Sequence, residues 1–250
     1  MNFGNDTPEA QAHLRRQLCT IDVIAHLAAE VRIPPESGSD LQVLVDRVGL
    51  APVHLGRGIQ NYLRTSLDCL ILLRGILSAD KDTSTVVLQS LLRPVLMTAG
   101  RVVFILGPND RDSQFERAMT VLRQEGESFL RALNAFSTFE SLRGLRPPLS
   151  LIADVESEMS AIRASGPPRG EGQVLDEMAR GIAEVAARYV NNDEAGALGE
   201  SVRHAWHTFS GGAHGYVWPD SVPGDFIFSL GVVVPVAHWA VDLAVRRTQV

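Results

Sequence analysis

The sequence predicts an all-α protein, an irregular bundle of about eight or nine helices with no sheet. Three observations point there. Apolar residues recur at helical spacing through nearly every segment, and Pro, Gly and small polar residues fall between those segments. No run alternates polar and apolar residues as a half-buried strand would. The short β-branched stretches Val86-Val87, Val102-Val103 and Val232-Val233-Val234 each sit inside a helical pattern. No repeat of 20 to 50 residues is present, which argues against a solenoid.

The elements follow in order. Thr7-Pro8-Glu9 reads as an N-cap, an N1 proline and a first-turn acid. Leu14, Leu18, Ile21, Ala25 and Ala28 then trace one face of a helix from Pro8 to about Val31. Pro34-Pro35-Glu36-Ser37-Gly38 breaks it. Ser39-Asp40 opens a short helix with Leu41, Leu44, Val45 and Val48 on one face, closed by Gly49. A third helix is expected from Gly58 to about Leu77, and a fourth opens at Asp82 or Thr83 and runs toward Leu106. Pro94 stands mid-pattern in that helix and predicts a bend or a fresh start.

Asp110 caps a long amphipathic helix through Phe115, Met119, Leu122, Phe129, Leu133 and Phe136. Arg111, Arg117 and Arg123 lie six apart on it, so they make no single stripe. Pro147-Pro148 precedes a helix from Leu151 to Arg163. The stretch 165–172, rich in Gly and Pro, predicts a mobile loop. Helices over 174–190, 194–209 and 225–247 complete the set. The whole of 1–250 reads as one domain, with 8–48 as an optional helical appendage.

Composition narrows the function classes. The chain has 250 residues and a formal net charge of −6, which argues against a duplex-DNA binder working through clustered positive charge. Cys19 and Cys69 lack C-x-x-C spacing, so neither a disulfide scaffold nor a zinc knuckle is indicated, and a cytoplasmic setting is expected. Met1 to Thr7 carries no basic or apolar leader. The apolar run Phe226 to Val241 falls short of the roughly 20 residues needed to span a bilayer, so a buried core helix is expected rather than a membrane contact.

The residues for chemistry concentrate in one place. Arg203-His204-Ala205-Trp206-His207-Thr208-Phe209-Ser210-Gly211-Gly212-Ala213-His214-Gly215-Tyr216 holds three of the seven histidines. Gly211-Gly212 predicts a C-cap with positive φ, holding His214 in a turn beside Trp206, Tyr216 and Trp218. Arg203, His207, Ser210 and His214 are the candidate catalytic residues. A histidine there can exchange protons near neutral pH while arginine steadies an oxyanion or a phosphorane. The structural alternative is that the glycines only stop the helix and His214 satisfies its carbonyls. A metal held by His204, His207 and His214 would need a further ligand, such as Glu200 or Asp220, that the local sequence does not supply. No metal and no cofactor is expected.

Two weaker patterns are present. The acids of Asn192 to Glu200 have the spacing of the second magnesium motif of class I terpene synthases, but they also suit a helix N-terminus. Gly56-Arg57-Gly58 and Gly170-Glu171-Gly172 follow no strand, so neither is read as a nucleotide loop.

Together, Arg93 to Arg101 and the late Trp206 to Gly215 segment resemble uncharacterised all-helical proteins of GC-rich bacteria. The layout from Leu63 onward is similar to HEPN-type helical domains, many of which are ribonucleases of toxin, defence and abortive-infection systems. That resemblance implies RNA or a nucleotide as substrate, no obligatory metal, and Arg203, His207 and His214 as the positions that matter. HEPN ribonucleases separate Arg and His by four to six residues. Here three residues lie between Arg203 and His207, and ten between Arg203 and His214. The other reading kept open is a non-enzymatic helical scaffold or regulator, dimeric through its apolar last helix.

Overall fold

The computed structural model describes residues 7–49, 54–79, 83–164, 166, 169–214 and 226–250. Among them are nine α-helices, one 3₁₀ helix and no strand. The predicted all-α class is what the chain adopts. The helices are α1 (Pro8–Ala28), α2 (Asp40–Val48), α3 (Leu55–Ser78), α4 (Thr85–Leu106), α5 (Arg111–Ser137), α6 (Leu149–Ala164), α7 (Glu171–Ala186), α8 (Asn192–Ala213) and α9 (Phe226–Thr248). The 3₁₀ helix, Glu140–Leu145, joins α5 to α6.

Local chemistry explains most boundaries. The Thr7 hydroxyl accepts the Ala10 N–H at 3.2 Å, with Pro8 in the first turn of α1. Ser39 caps α2 in the same way, and Gly49 ends it at φ 68°, a backbone region favouring glycine. The Asp110 carboxylate accepts the N–H groups of Asp112 and Ser113, at 2.9 and 3.1 Å, and starts α5. One start was not legible: α3 begins at Leu55 rather than Gly58, because the His54 imidazole takes the capping role toward the Arg57 N–H.

Of the bend or fresh start expected at Pro94 the fresh start does not occur, and the loop expected before α7 is shorter. Helix α4 runs unbroken from Thr85 to Leu106 with Pro94 inside it, so the helix is not split there. Its environment holds it together: Leu88, Leu92, Val95, Leu96 and Ala99 are all fully buried, and that burial outweighs one lost backbone bond. The loop expected over 165–172 is shorter, because α7 already begins at Glu171. The Gln173 side chain reaches back to the Gly170 N–H at 3.0 Å and starts it early. Residues 165, 167 and 168 of that predicted loop lie outside the described residues, as does Asp82, one of the two expected starts of α4.

Helices α4 and α9 pack against each other at the centre of the fold, with α1 and α3 on one side and α7 and α8 on the other. Both are long and apolar enough to cross a membrane by composition, and their most apolar windows are 50% and 61% buried inside the fold. Segment 8–48 contributes Ile21, Ile24, Leu41 and Leu44 to the same core. The last turn of α9 also meets the segment between α1 and α2. Thr248 accepts the Arg32 N–H on its hydroxyl at 3.3 Å and the Glu36 N–H on its carbonyl at 2.9 Å. Arg247 donates to Asp40 at 2.5 Å and to the Pro108 carbonyl at 3.0 Å.

Helices α5 and α6 form a hairpin with a core of its own, built from Met119, Leu130, Leu133, Ile152, Val155, Met159 and Ile162. Here the sequence reading is corrected again. Phe129 and Phe136, expected on the buried face of α5, are 38% and 49% exposed. Leu133 faces inward as expected and Leu130, not Phe129 or Phe136, joins it there, since α6 packs on that side of the helix.

Candidate functional site

Helix α8 carries all four predicted site residues, if His214 is counted as the residue just beyond its end. Its N-terminus is a cap: the Asn191 side-chain oxygen accepts the Glu194 N–H at 2.9 Å, and Asp193 and Glu194 lie in the first turn. Asp193 and Glu194 therefore serve the helix start, while Glu200 lies about two turns further along. Val202, Ala205 and Phe209 bury the opposite face of α8. Gly199 lets α8 approach α7 closely: a Cβ there would stand 3.2 Å from the Ala179 carbonyl oxygen and 3.3 Å from the Ala183 Cβ.

The helix does not stop at Phe209. It continues through Gly211 and Gly212 to Ala213, and the His214 N–H donates to the Ser210 carbonyl at 3.1 Å, a helical i to i−4 bond. The predicted glycine C-cap is therefore not formed at Gly211. Gly211 is buried, and tertiary packing outweighs the roughly 1 kcal/mol that glycine costs in a helix. Residues 215–225, with Tyr216, Trp218 and Asp220, lie outside the described residues, so the aromatic turn expected around His214 does too.

That continuation has a geometric result. At 100° per residue, Arg203, His207, Ser210 and His214 fall within about 60° of arc. They make one stripe along α8. Arg203, His207 and His214 are exposed and Ser210 is half-buried. Arg203 and His207 are neighbours one turn apart, whereas Arg203 and His214 are separated by about 16 Å along the axis. The four share a face without converging on a point.

The surroundings of the stripe are mixed in charge. Arg203 lies 3.5 Å from the Asp176 carboxylate of α7, at the edge of a 190 Å³ groove whose lining includes Arg180, Gly196, Gly199 and Glu200. The His207 ring meets the Trp206 ring edge-on at 4.9 Å. His204 points elsewhere: it is half-buried, with its ring edge-on to Phe228 at 5.9 Å. Among the described residues no three His, Cys, Asp or Glu side chains are grouped to hold a metal ion.

Several features away from α8 were not read from the sequence. Tyr62, Arg101, Gln124 and Glu125 join α3, α4 and α5 in a buried polar network. Arg101 donates to Glu125 at 2.6 Å and to Gln124 at 3.0 Å, and its guanidinium lies 5.5 Å from the Tyr62 ring centre. Burial, and after it the Glu125 charge, pushes the Tyr62 phenol well above its ordinary pKa. Arg123 is 6% exposed, and its pKa is lowered by burial and by the neighbouring charge of Arg169. Larger clefts lie elsewhere among the described residues. One, of 570 Å³, lies between Ile33, Pro34, Val45 and Ile59, and another, of 640 Å³, between Glu127, Arg131, Arg163 and Glu171. The third missed feature is the apolar tip of the α5–α6 hairpin. Its signal was present in the sequence as Phe139, Leu142, Leu145 and Leu149, which continue no helical face.

Compared with protein-family models, with curated proteins and with solved structures, the chain matches none.

Proposed function

We propose that this protein engages single-stranded RNA, or a nucleotide's phosphates, along the exposed face of α8, and cleaves RNA there without a metal. One observation carries the reading: Arg203, His207, Ser210 and His214 lie on one face in steps of about 4.5–6 Å. That is the scale of one nucleotide in an extended strand, and a row of cationic and hydroxyl groups suits a phosphate backbone. HEPN-type proteins, which the sequence resembles, act in this class of chemistry.

Within the stripe, Arg203 and His207 form the one pair of Arg and His that can address a single phosphodiester. His207 takes the proton of a ribose 2′-hydroxyl, and the 2′-oxygen attacks the adjacent phosphorus. The P–O bond to the 5′-oxygen breaks, leaving a 2′,3′-cyclic phosphate, and the proton that His207 took passes through water to the departing oxygen. Arg203 offsets the extra negative charge of the phosphorane. Ser210 and His214 hold the strand further along.

The test is a labelled single-stranded RNA incubated with wild type and with Arg203→Ala, His207→Ala and His214→Ala, with and without chelator. Expected are cleavage that survives the chelator, losses of at least about 100-fold for the first two variants, and weaker RNA binding for His214→Ala. Melting temperatures should hardly move, because these side chains are exposed. RNA left intact and unbound by wild type sinks the proposal.

The second reading is a helical scaffold with no reaction of its own. What favours it is the exposed apolar tip of the α5–α6 hairpin, which is unlike the polar exterior of α6 itself.

A further inference from the structure

The α5–α6 hairpin stands apart from the rest of the molecule in three ways. Helix α6 packs chiefly on α5, the pair has its own small core, and the 3₁₀ helix at its tip buries no residue. It is an arm. Its tip exposes large apolar side chains: Leu145 is 76% and Leu149 81% exposed, and Phe136, Phe139 and Leu142 are between 43% and 49% exposed. The rings of Phe136 and Phe139 touch, with centroids 5.9 Å apart. Phe129 and Leu151, each 38% exposed, add to the apolar surface that this arm shows to water.

The charge of the tip differs from that of the whole. Residues 129–151 carry Arg131, Arg143 and Arg146 against a single acid, Glu140, in a chain of net charge −6. Glu140 is already held by Arg143 at 2.5 Å and Arg146 at 2.6 Å. The surface that covers these leucines must therefore accept both apolar side chains and excess positive charge.

We propose that the tip docks on an anionic lipid bilayer, with Leu145, Leu149 and Phe139 entering the boundary between headgroups and acyl chains and Arg143 and Arg146 meeting lipid phosphates. A second copy of this chain fits less well. A twofold contact between tips sets their arginines against one another, with both copies' Glu140 already engaged. A protein partner must supply a concavity matched to a protruding turn, whereas a bilayer adapts to any protruding apolar shape. The proposal is independent of the α8 stripe and places no helix across the membrane.

The experiment is flotation of the full-length protein with phosphatidylcholine vesicles and with vesicles containing about one-third phosphatidylglycerol. Expected is recruitment to the anionic vesicles only, weakened by salt. The double variant Leu145→Ser/Leu149→Ser should reduce it at least about tenfold. Arg143→Gln/Arg146→Gln should reduce it about fivefold per arginine. Leu145, Leu149 and Arg143 are exposed and Arg146 is half-buried, so circular dichroism and melting temperature should stay close to wild type in both variants, which separates lost docking from lost folding. Three results overturn the proposal: no recruitment to either vesicle, recruitment unaffected by the tip variants, or a dimer in sedimentation velocity that forms without lipid and disappears in the tip variants.

Discussion

Replacing Arg101 by methionine should be among the most damaging single changes in this fold, although the residue is charged and lies on a helix. Arg101 and Glu125 are each only 16% exposed, and their hydrogen bond is 2.6 Å long. Removing the arginine keeps much of its packing volume but leaves the Glu125 carboxylate facing the interior with Gln124 and Tyr62. Exposed ion pairs contribute about 0–1 kcal/mol, whereas breaking a buried pair costs about 3–5 kcal/mol. At this degree of burial we expect a loss of about 2–4 kcal/mol. For a chain of this length that corresponds to a fall in melting temperature of roughly 5–15 °C. Replacing both partners, as Arg101→Met/Glu125→Met, removes the stranded charge and should recover at least half of the loss. Urea unfolding of the wild type, both single variants and the double variant closes the cycle, with a coupling of about 2 kcal/mol. A single-variant cost below about 0.5 kcal/mol, or strict additivity, would show that the pair behaves as a surface contact and refute the reasoning.

Three further changes probe other parts of the molecule. Tyr62 is 6% exposed, and among the described residues its hydroxyl has no partner of good hydrogen-bond geometry, with the Glu125 carboxylate nearby, so Tyr62→Phe should be neutral or stabilising by about 1 kcal/mol in thermal melts, and a clear destabilisation would reveal a bond to Glu125. The hydrogen bond from Arg247, with Arg111 adding to it, holds the Asp40 carboxyl below the ordinary aspartate range. A depressed folded-state pKa gives stability that is present above the unfolded-state value and lost as pH falls through the folded one. Asp40→Asn should therefore lower the unfolding midpoint at neutral pH but not once wild-type Asp40 is itself protonated, and an equal deficit at both pH values contradicts this. Gly199→Val places branched carbons against the Ala179 carbonyl and Ala183, and should cost about 1–3 kcal/mol by chemical denaturation. Gly199→Ala should come close to neutral, because better helix propensity offsets the tight contact.

Caps and periodicity made most of the fold legible. Thr7, Ser39 and Asp110 start their helices through the bonds that their side chains predict, because these interactions are local and need no knowledge of the rest of the chain. What escaped was decided at a distance. Pro94 and Gly211 both lower helix propensity, and both lie inside helices because neighbouring elements bury their surroundings. Phe129 and Phe136 fit the apolar period of α5 yet face outward, since the position of α6 chooses which of two adjacent faces is covered. The candidate site was located by composition, through its cluster of Arg, His, Ser and Gly. Its shape was not, because the stripe exists only when α8 continues past Phe209.

The central pairing of α4 with α9 has a consequence for how the chain is made. Leu106, the last residue of α4, precedes Phe226, the first of α9, by 120 positions. At about 5–20 residues per second, a ribosome exposes α4 for roughly 6–24 s before its main partner exists. Throughout that interval the apolar face of α4 has no α9 to cover it. The native core is therefore completed only once α9 has been made, and until then the nascent chain is a natural client for whatever shields apolar helices in its cell.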